Sequence, residues 1–158
     1  MTTQQLVTFT LADRLCGIPV DRVQEVLPGR ARTRVPLAPD DVGGLVSLRG
    51  PVVLSVALRR RLGLPAHGAD QMMVVVFVGD ETVSLLVDTI GDVLEVDADQ
   101  FETPPQTLPE ELRAVIRGAY KLPDRLLLAL DVEAAASCGR SALSGVSARL
   151  VAPGGSGG

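Results

Sequence analysis

Short apolar runs, many alternating with polar residues, recur along this chain and are cut at intervals by Gly, Pro and Asp. Leu6–Leu11 alternates aliphatic residues with Thr, breaks at Ala12-Asp13-Arg14, and resumes through Leu15–Val20. Met73–Val78 runs into Gly79-Asp80-Glu81 and out through Thr82–Val87, good turn chemistry between β-branched runs. Both stretches predict hairpins. Leu45–Leu48 and Val52–Leu58 flank Arg49-Gly50-Pro51, with Pro51 at a strand start where its missing N–H does least harm. Ile116–Leu122 and Leu126–Leu130 flank Pro123-Asp124 in the same way. Helix is expected only in short pieces: Leu58–Leu62 with Gly63 as its C-cap, Glu110–Val115, and Val132–Ser137.

The chain repeats itself. Leu11–Leu27 aligns without a gap on Val78–Leu94, matching Asp13 with Asp80, Ile18 with Leu85, Asp21 with Asp88, Val23 with Ile90, Glu25 with Asp92 and Val26 with Val93. Arg49-Gly50 reappears further on as Arg117-Gly118. After each first hairpin comes a Val-Asp segment, Val20–Leu27 or Val87–Leu94, whose spacing fits either one helical turn or a kinked strand and does not choose between them. Four or five short strands used twice predict an all-β chain of two small barrels, neither able to bury a core alone and so packed on the other. Residues 1–138 are expected to form one domain of two barrels packed on each other, and 139–158 a flexible Gly/Ser-rich tail.

Composition narrows the function classes. The 158 residues are 46% apolar with a net charge of −4, and Phe9, Phe77, Phe101 and Tyr120 are the only aromatics, so a nucleic-acid binder lacks both basic surface and stacking platforms. Met72–Val78 is too short to span a bilayer, and MTTQQLVTF has no secretory pattern, which predicts a cytoplasmic protein. Cys16 and Cys138 form no CxxC pair, so neither a disulfide framework nor a zinc site is expected.

Catalytic constellations are missing too. His67, the single histidine, reads as a solvated loop residue, and nothing places it beside Cys16, which reads as a small buried core residue. Asp97, Asp99 and Glu102 could face a hard cation but lack EF-hand spacing. Arg59-Arg60-Arg61 could hold a phosphate or pair with acids on a partner, or, for Arg60 and Arg61 above all, form the exposed face of a short helix. No enzyme activity, cofactor or metal is expected. Two features suit protein binding better. Gly43-Gly44 marks close backbone approach just before Arg49 at a hairpin corner, and Val23-Gln24-Glu25-Val26 mixes apolar and acidic residues as an interface does.

LVTFTLADRLCGIPVDRVQEVL, GGLVSLRGPVVLSVALRRRLGL, VSLLVDTIGDVLEV and GAYKLPDRLLLALDVEAA resemble the CheW-like chemotaxis coupling proteins over about Leu6–Ala136. The resemblance implies two five-stranded SH3-like β-barrels around a shared hydrophobic core. It implies a non-enzymatic adaptor without cofactor, monomeric alone and array-forming with its partners. Those partners are the cytoplasmic tips of chemoreceptors and the regulatory domain of a sensor histidine kinase, which recruit the adaptor to membrane receptor clusters. By motif position it implies that Val23, Glu25, Gly44, Leu45 and Arg49 carry the receptor and kinase contacts. Two positions depart from the family pattern: Ser47 stands where Asn usually precedes LRG, and Ala57 where Asp usually precedes the Leu-Arg pair. A small-molecule-binding or divergent interaction barrel is the alternative, and the former would show as a closed apolar pocket.

Overall fold

A computed structural model describes residues 3–29, 32–37, 42–48, 50–64 and 71–136. Arg49, His67, Cys138 and the whole 139–158 segment lie outside the described residues. The chain begins with β1 (Thr3–Leu11) and β2 (Arg14–Pro19), crosses a 3-10 turn at Val20–Arg22, and continues as β3 (Val23–Pro28), β4 (Val42–Ser47) and β5 (Val52–Ala57). A helical turn α1 (Leu58–Arg61) precedes β6 (Met72–Val78), β7 (Glu81–Val87), β8 (Thr89–Asp97) and the two-residue β9 (Phe101–Glu102). The described chain closes with α2 (Glu110–Arg113), β10 (Ile116–Lys121), β11 (Leu126–Leu130) and a helical turn over 132–136.

These strands form two sheets, ordered β8-β1-β2-β11-β10-β9 and β3-β6-β7-β5-β4. The orders are the same pattern twice. Each sheet takes its central hairpin from one repeat and its flanking strands from the other, so β1–β2 sits among C-terminal strands and β6–β7 among N-terminal ones. The two cross-repeat parallel ladders, β2–β11 and β5–β7, are equivalent, with Gly17 opposite Ala129 and Ser84 opposite Ser55. β9 is the one addition to the first sheet. Its counterpart in the second is the isolated bridge from Thr33 to Leu45 beside β4, just as Glu102 pairs with Ala119 beside β10.

The core lies between the sheets. Phe9, Leu11, Cys16, Ile18, Leu128 and Leu130 of one sheet meet Leu54, Val56, Val74, Val76, Leu85 and Val87 of the other, all at most 4% exposed. Opposite faces are buried as well. Met73, Val75 and Leu86 pack under the second sheet, and Leu6, Leu127 and Ala129 under the first. A strand buried on both faces has no polar side to show, which is why Met72–Val78 reads as an unbroken apolar run.

Structure corrects one element of the repeat. Arg117-Gly118 is not the partner of Arg49-Gly50. Gly50 belongs to the turn between β4 and β5, with φ +112° and open space around it, whereas Gly118 lies inside β10. Val42 pairs with Val56 and Ile116 with Leu130, each pairing followed by a register shift, so Gly118 is the counterpart of Gly44 and exposed Arg117 that of Gly43. The two glycines do one job. A Cβ on Gly44 would lie 2.7 Å from the Thr33 carbonyl oxygen, and one on Gly118 would lie 2.5 Å from that of Glu102, so each lets a covering segment lie close on its strand. The Val-Asp segment takes both conformations its spacing allowed: a 3-10 turn then a strand after β2, and strand almost directly after β7.

Ser55 and Ser84 face each other across β5 and β7, and neither buried hydroxyl has a hydrogen-bond partner among the described residues. An unsatisfied buried hydroxyl costs free energy that a methyl group does not. Ser84→Ala is therefore expected to leave the fold unchanged and raise the urea-unfolding free energy by about 1 kcal/mol.

Candidate docking surface

β3 owes its position to the turn before it. Pro19 ends β2, and Arg22 then anchors the 3-10 turn: its guanidinium donates to the Phe77 carbonyl oxygen at 3.0 and 3.3 Å and forms an ion pair with Glu133. β3 pairs with β6 through a register shift, Val23 opposite Val76 and Glu25 opposite Val75. The irregularity leaves Gln24 exposed, with its amide 3.3 Å from the Glu25 carboxylate. Val23 is half-buried against the margin of the shared core.

Gly44 and Leu45 lie on β4, at the other edge of the same sheet. Gly44 has φ +106°, a backbone state that favours glycine, and is buried under the Thr33 segment. Leu45 exchanges two backbone hydrogen bonds with Thr33 (2.7 and 2.8 Å) and also packs on the shared-core margin. Val23 and Leu45 thus border one core from two different edge strands, and no ladder between β3 and β4 is present among the described residues. Gly44 has no side chain to present, and Leu45 is half-buried.

Repeat symmetry adds residues that motif reading did not select. Ile90 of β8, the counterpart of Val23, is likewise half-buried against the shared core. β1 runs between, pairing Val7 with Val93 on one side and Leu6 with Pro19 on the other. Val93 is 52% exposed, and Val20 and Phe77 are each 41% exposed. The signal was available in the alignment of Val23 with Ile90 and Val26 with Val93. The 3-10 turn, β3 and β8 thus carry partly exposed apolar residues, Val20, Val23, Ile90 and Val93, of which Val23 and Ile90 pack against the shared core, and Glu25 and Asp92 lie on the same two strands.

The remaining candidates resolve into structure. Arg59 is buried, not part of an exposed basic face: its Nε and Nη2 donate to the two Asp88 carboxylate oxygens at 2.8 and 2.6 Å. Asp88 also accepts from the Ala12 amide at 2.7 Å, so it ties α1 to the β1–β2 turn. The hydrogen bond to Asp88 holds the Arg59 guanidinium even more firmly protonated than usual. With Asp88 in that role, Ala57 needs no carboxylate to pair with Arg59. Arg60 is exposed, and Arg61 donates to the Ala134 carbonyl oxygen at 3.3 Å. In the acidic cluster Asp97 caps the 3-10 turn at Ala98–Gln100, and Glu102 pairs with Lys121 at 2.9 Å. No group of three potential metal ligands occurs among the described residues. A cleft lined by Arg14, Leu15, Leu108, Arg125 and Leu128 is open and holds about 190 Å³, below the range of small-molecule sites. No helix among the described residues is long and apolar enough to cross a membrane.

Cys16 is fully buried, and loss of hydration pushes its thiol up from 9.0 to about 12. Below pH 9 the thiol is protonated whether or not the chain is folded. Between 9 and about 12 only the unfolded chain gives up the proton, so rising pH costs stability through this group, at about 1.4 kcal/mol per unit. Urea unfolding from pH 8 to 11 is expected to fall less steeply for Cys16→Ala than for the parent chain.

Comparison with known proteins follows the same lines. The CheW-like domain family matches residues 5–138. The chemotaxis protein CheW of Klebsiella aerogenes is 30% identical over 132 residues, covering 82% of this chain and 80% of that one. CheW of Bacillus subtilis is 27% identical over 135 residues, covering 84% and 86%. The crystal structure of the scaffolding protein TtCheW from Thermoanaerobacter tengcongensis superposes with a TM-score of 0.74 at 26% identity, covering 82% of this chain and 89% of that chain.

Proposed function

The chain belongs to the CheW-like family, and on that premise we propose that it is a non-enzymatic chemotaxis adaptor that couples chemoreceptors to a sensor histidine kinase. Its two sheets are the two SH3-like barrels of that fold. The observation that carries the reading is the family match over 5–138, joined to half-buried Val23 and Ile90 at the margin of the shared core. A receptor tip, a helical hairpin, places aliphatic side chains against Val20, Val23, Ile90 and Val93 by helix-in-groove packing. Glu25 and Arg49 supply charge-assisted contacts to receptor or kinase, and Gly44 and Leu45 supply contacts from β4. The kinase partner is its regulatory domain, paired barrel end to barrel end. Each contact is of moderate strength, and an array gains its stability from their number. On this reading the protein works in the cytoplasm, at membrane receptor clusters.

Glu25→Ala and Arg49→Ala test the assignment. Each is expected to lower recruitment of kinase to receptor-bearing membranes at least tenfold while shifting unfolding by no more than about 0.5 kcal/mol. Unchanged co-sedimentation with both variants removes these residues from the interface.

A further inference from the structure

The repeat sets Arg22 on Thr89 and, one residue ahead of the aligned stretch, Thr10 on Phe77. In the first sheet Ile90 lies opposite Phe9 and Thr89 opposite Thr10, and the Thr10 carbonyl oxygen accepts from the Asp88 amide at 3.0 Å. The equivalent ladder of the second sheet stops at Val23 opposite Val76, because the 3-10 turn at Val20–Arg22 occupies the residues that would pair next. The Phe77 carbonyl oxygen takes the Arg22 guanidinium in their place, Nε at 3.3 Å and Nη2 at 3.0 Å. A side chain there meets the acceptor that a backbone N–H meets in the other copy. The same guanidinium reaches Glu133, with Nη1 3.4 Å from one carboxylate oxygen and Nη2 paired with the other. Glu133 follows Leu130 at the same interval as Arg59 follows Val56, its register equivalent. Each helical turn thus sends one charged side chain to the start of a strand that carries a half-buried aliphatic residue: Arg59 to Asp88 before β8, Glu133 to Arg22 before β3. Polarity is reversed between the copies, and so is exposure. The side chains of Arg22 and Glu133 are 31% and 57% exposed, against 10% and 16% for Arg59 and Asp88. So exposed a pair adds little to global stability, and what Arg22 fixes is local: the course of the chain from Val20 to Val23.

We propose that Arg22 is a positioning residue of the docking surface, oriented by Glu133: it holds the 3-10 turn, and with it Val20, Val23 and Glu25, in the geometry a partner meets. The inference deepens the adaptor reading and rests on it. Without the guanidinium the Phe77 carbonyl oxygen turns to water and the turn is released. A partner then has to order the turn as it binds, which weakens docking although none of the proposed contact residues is altered. The Val23 amide donates to the Val20 carbonyl oxygen and closes the turn, so its hydrogen exchange reports the turn directly.

The full chain is compared with its Arg22→Ala, Arg22→Lys and Glu133→Gln variants. In Arg22→Ala the Val23 amide is expected to exchange about tenfold faster, while the slowest amides of β6 and β7, which report global unfolding, keep the parent rate. Recruitment of kinase to receptor-bearing membranes by that variant is expected to fall about fivefold. Arg22→Lys, which keeps a cationic donor, is expected to recover most of both losses. Glu133→Gln is expected to shift both readouts in the same direction by less. Unchanged Val23 exchange in Arg22→Ala overturns the proposal, and so does faster exchange with full recruitment. Exchange that quickens equally at Val23, β6 and β7 overturns it too, since Arg22 then acts on the whole fold. A parent chain that recruits no kinase overturns the adaptor reading, while Val23 exchange still decides whether Arg22 holds the turn.

Discussion

Asp88→Asn is expected to destabilise the protein by about 3–5 kcal/mol, a large share of what a domain this size holds. Asp88 closes a node of three elements: two charge-assisted bonds from Arg59 on α1 and one from the Ala12 amide in the β1–β2 turn. Ala12 has φ +59°, uncommon for a residue with a Cβ, and that amide bond helps hold it there. The side chains of Arg59 and Asp88 are only 10% and 16% exposed, so water does little to replace the carboxylate charge that the guanidinium loses. Removing the charge of both partners, as in Arg59→Met/Asp88→Asn, is expected to cost less than Asp88→Asn alone, because no buried charge is then left over. Urea unfolding of the single and double variants gives the comparison. Equal stability of Asp88→Asn and the parent chain would show that the pair is not what joins these elements.

Phe9→Ala is expected to cost about 4 kcal/mol. Phe9 is fully buried, is the only aromatic residue of the shared core, and lies on β1 opposite Cys16 and Ile90. Because that core is built by both sheets, its loss is expected to lower one cooperative transition for the whole domain, followed by near-UV and far-UV dichroism together. Two separated transitions would mean that the sheets fold independently. Phe9→Leu, which keeps most of the volume, is expected to cost under about 1.5 kcal/mol.

The elements with strong local signals were legible in the sequence. The four hairpins show as alternating or continuous apolar runs around Gly, Pro and Asp, and the short helical turns at 58–61 and 110–113 follow from capping and composition. What could not be read was which strands meet. A repeat reveals that two units exist, but the exchange of hairpins between them depends on packing of both faces of β1, β2, β6 and β7, and periodicity is the same either way. The Val-Asp segment was ambiguous because its two copies are folded differently. Arg49-Gly50 and Arg117-Gly118 looked equivalent because a dipeptide carries no register, and only the ladders assign Gly118 to Gly44. Asp88 appeared merely as a repeat match. Its bond to Arg59 joins positions 29 residues apart, which no local pattern indicates. Among the candidate docking residues, Val23, Glu25, Gly44 and Leu45 came from motif resemblance, while Ile90, Val93, Val20 and Phe77 required exposure and strand neighbours to be known.

The coupling role is tested most directly by reconstitution. Receptor-bearing membranes and the sensor histidine kinase from the same cells are sedimented with and without the purified protein, and kinase in the pellet is measured. The adaptor reading predicts that kinase enters the pellet only when both receptor and this chain are present, the chain itself co-sedimenting. Kinase recovery that is the same with and without the chain, at concentrations where the chain is folded, would contradict it.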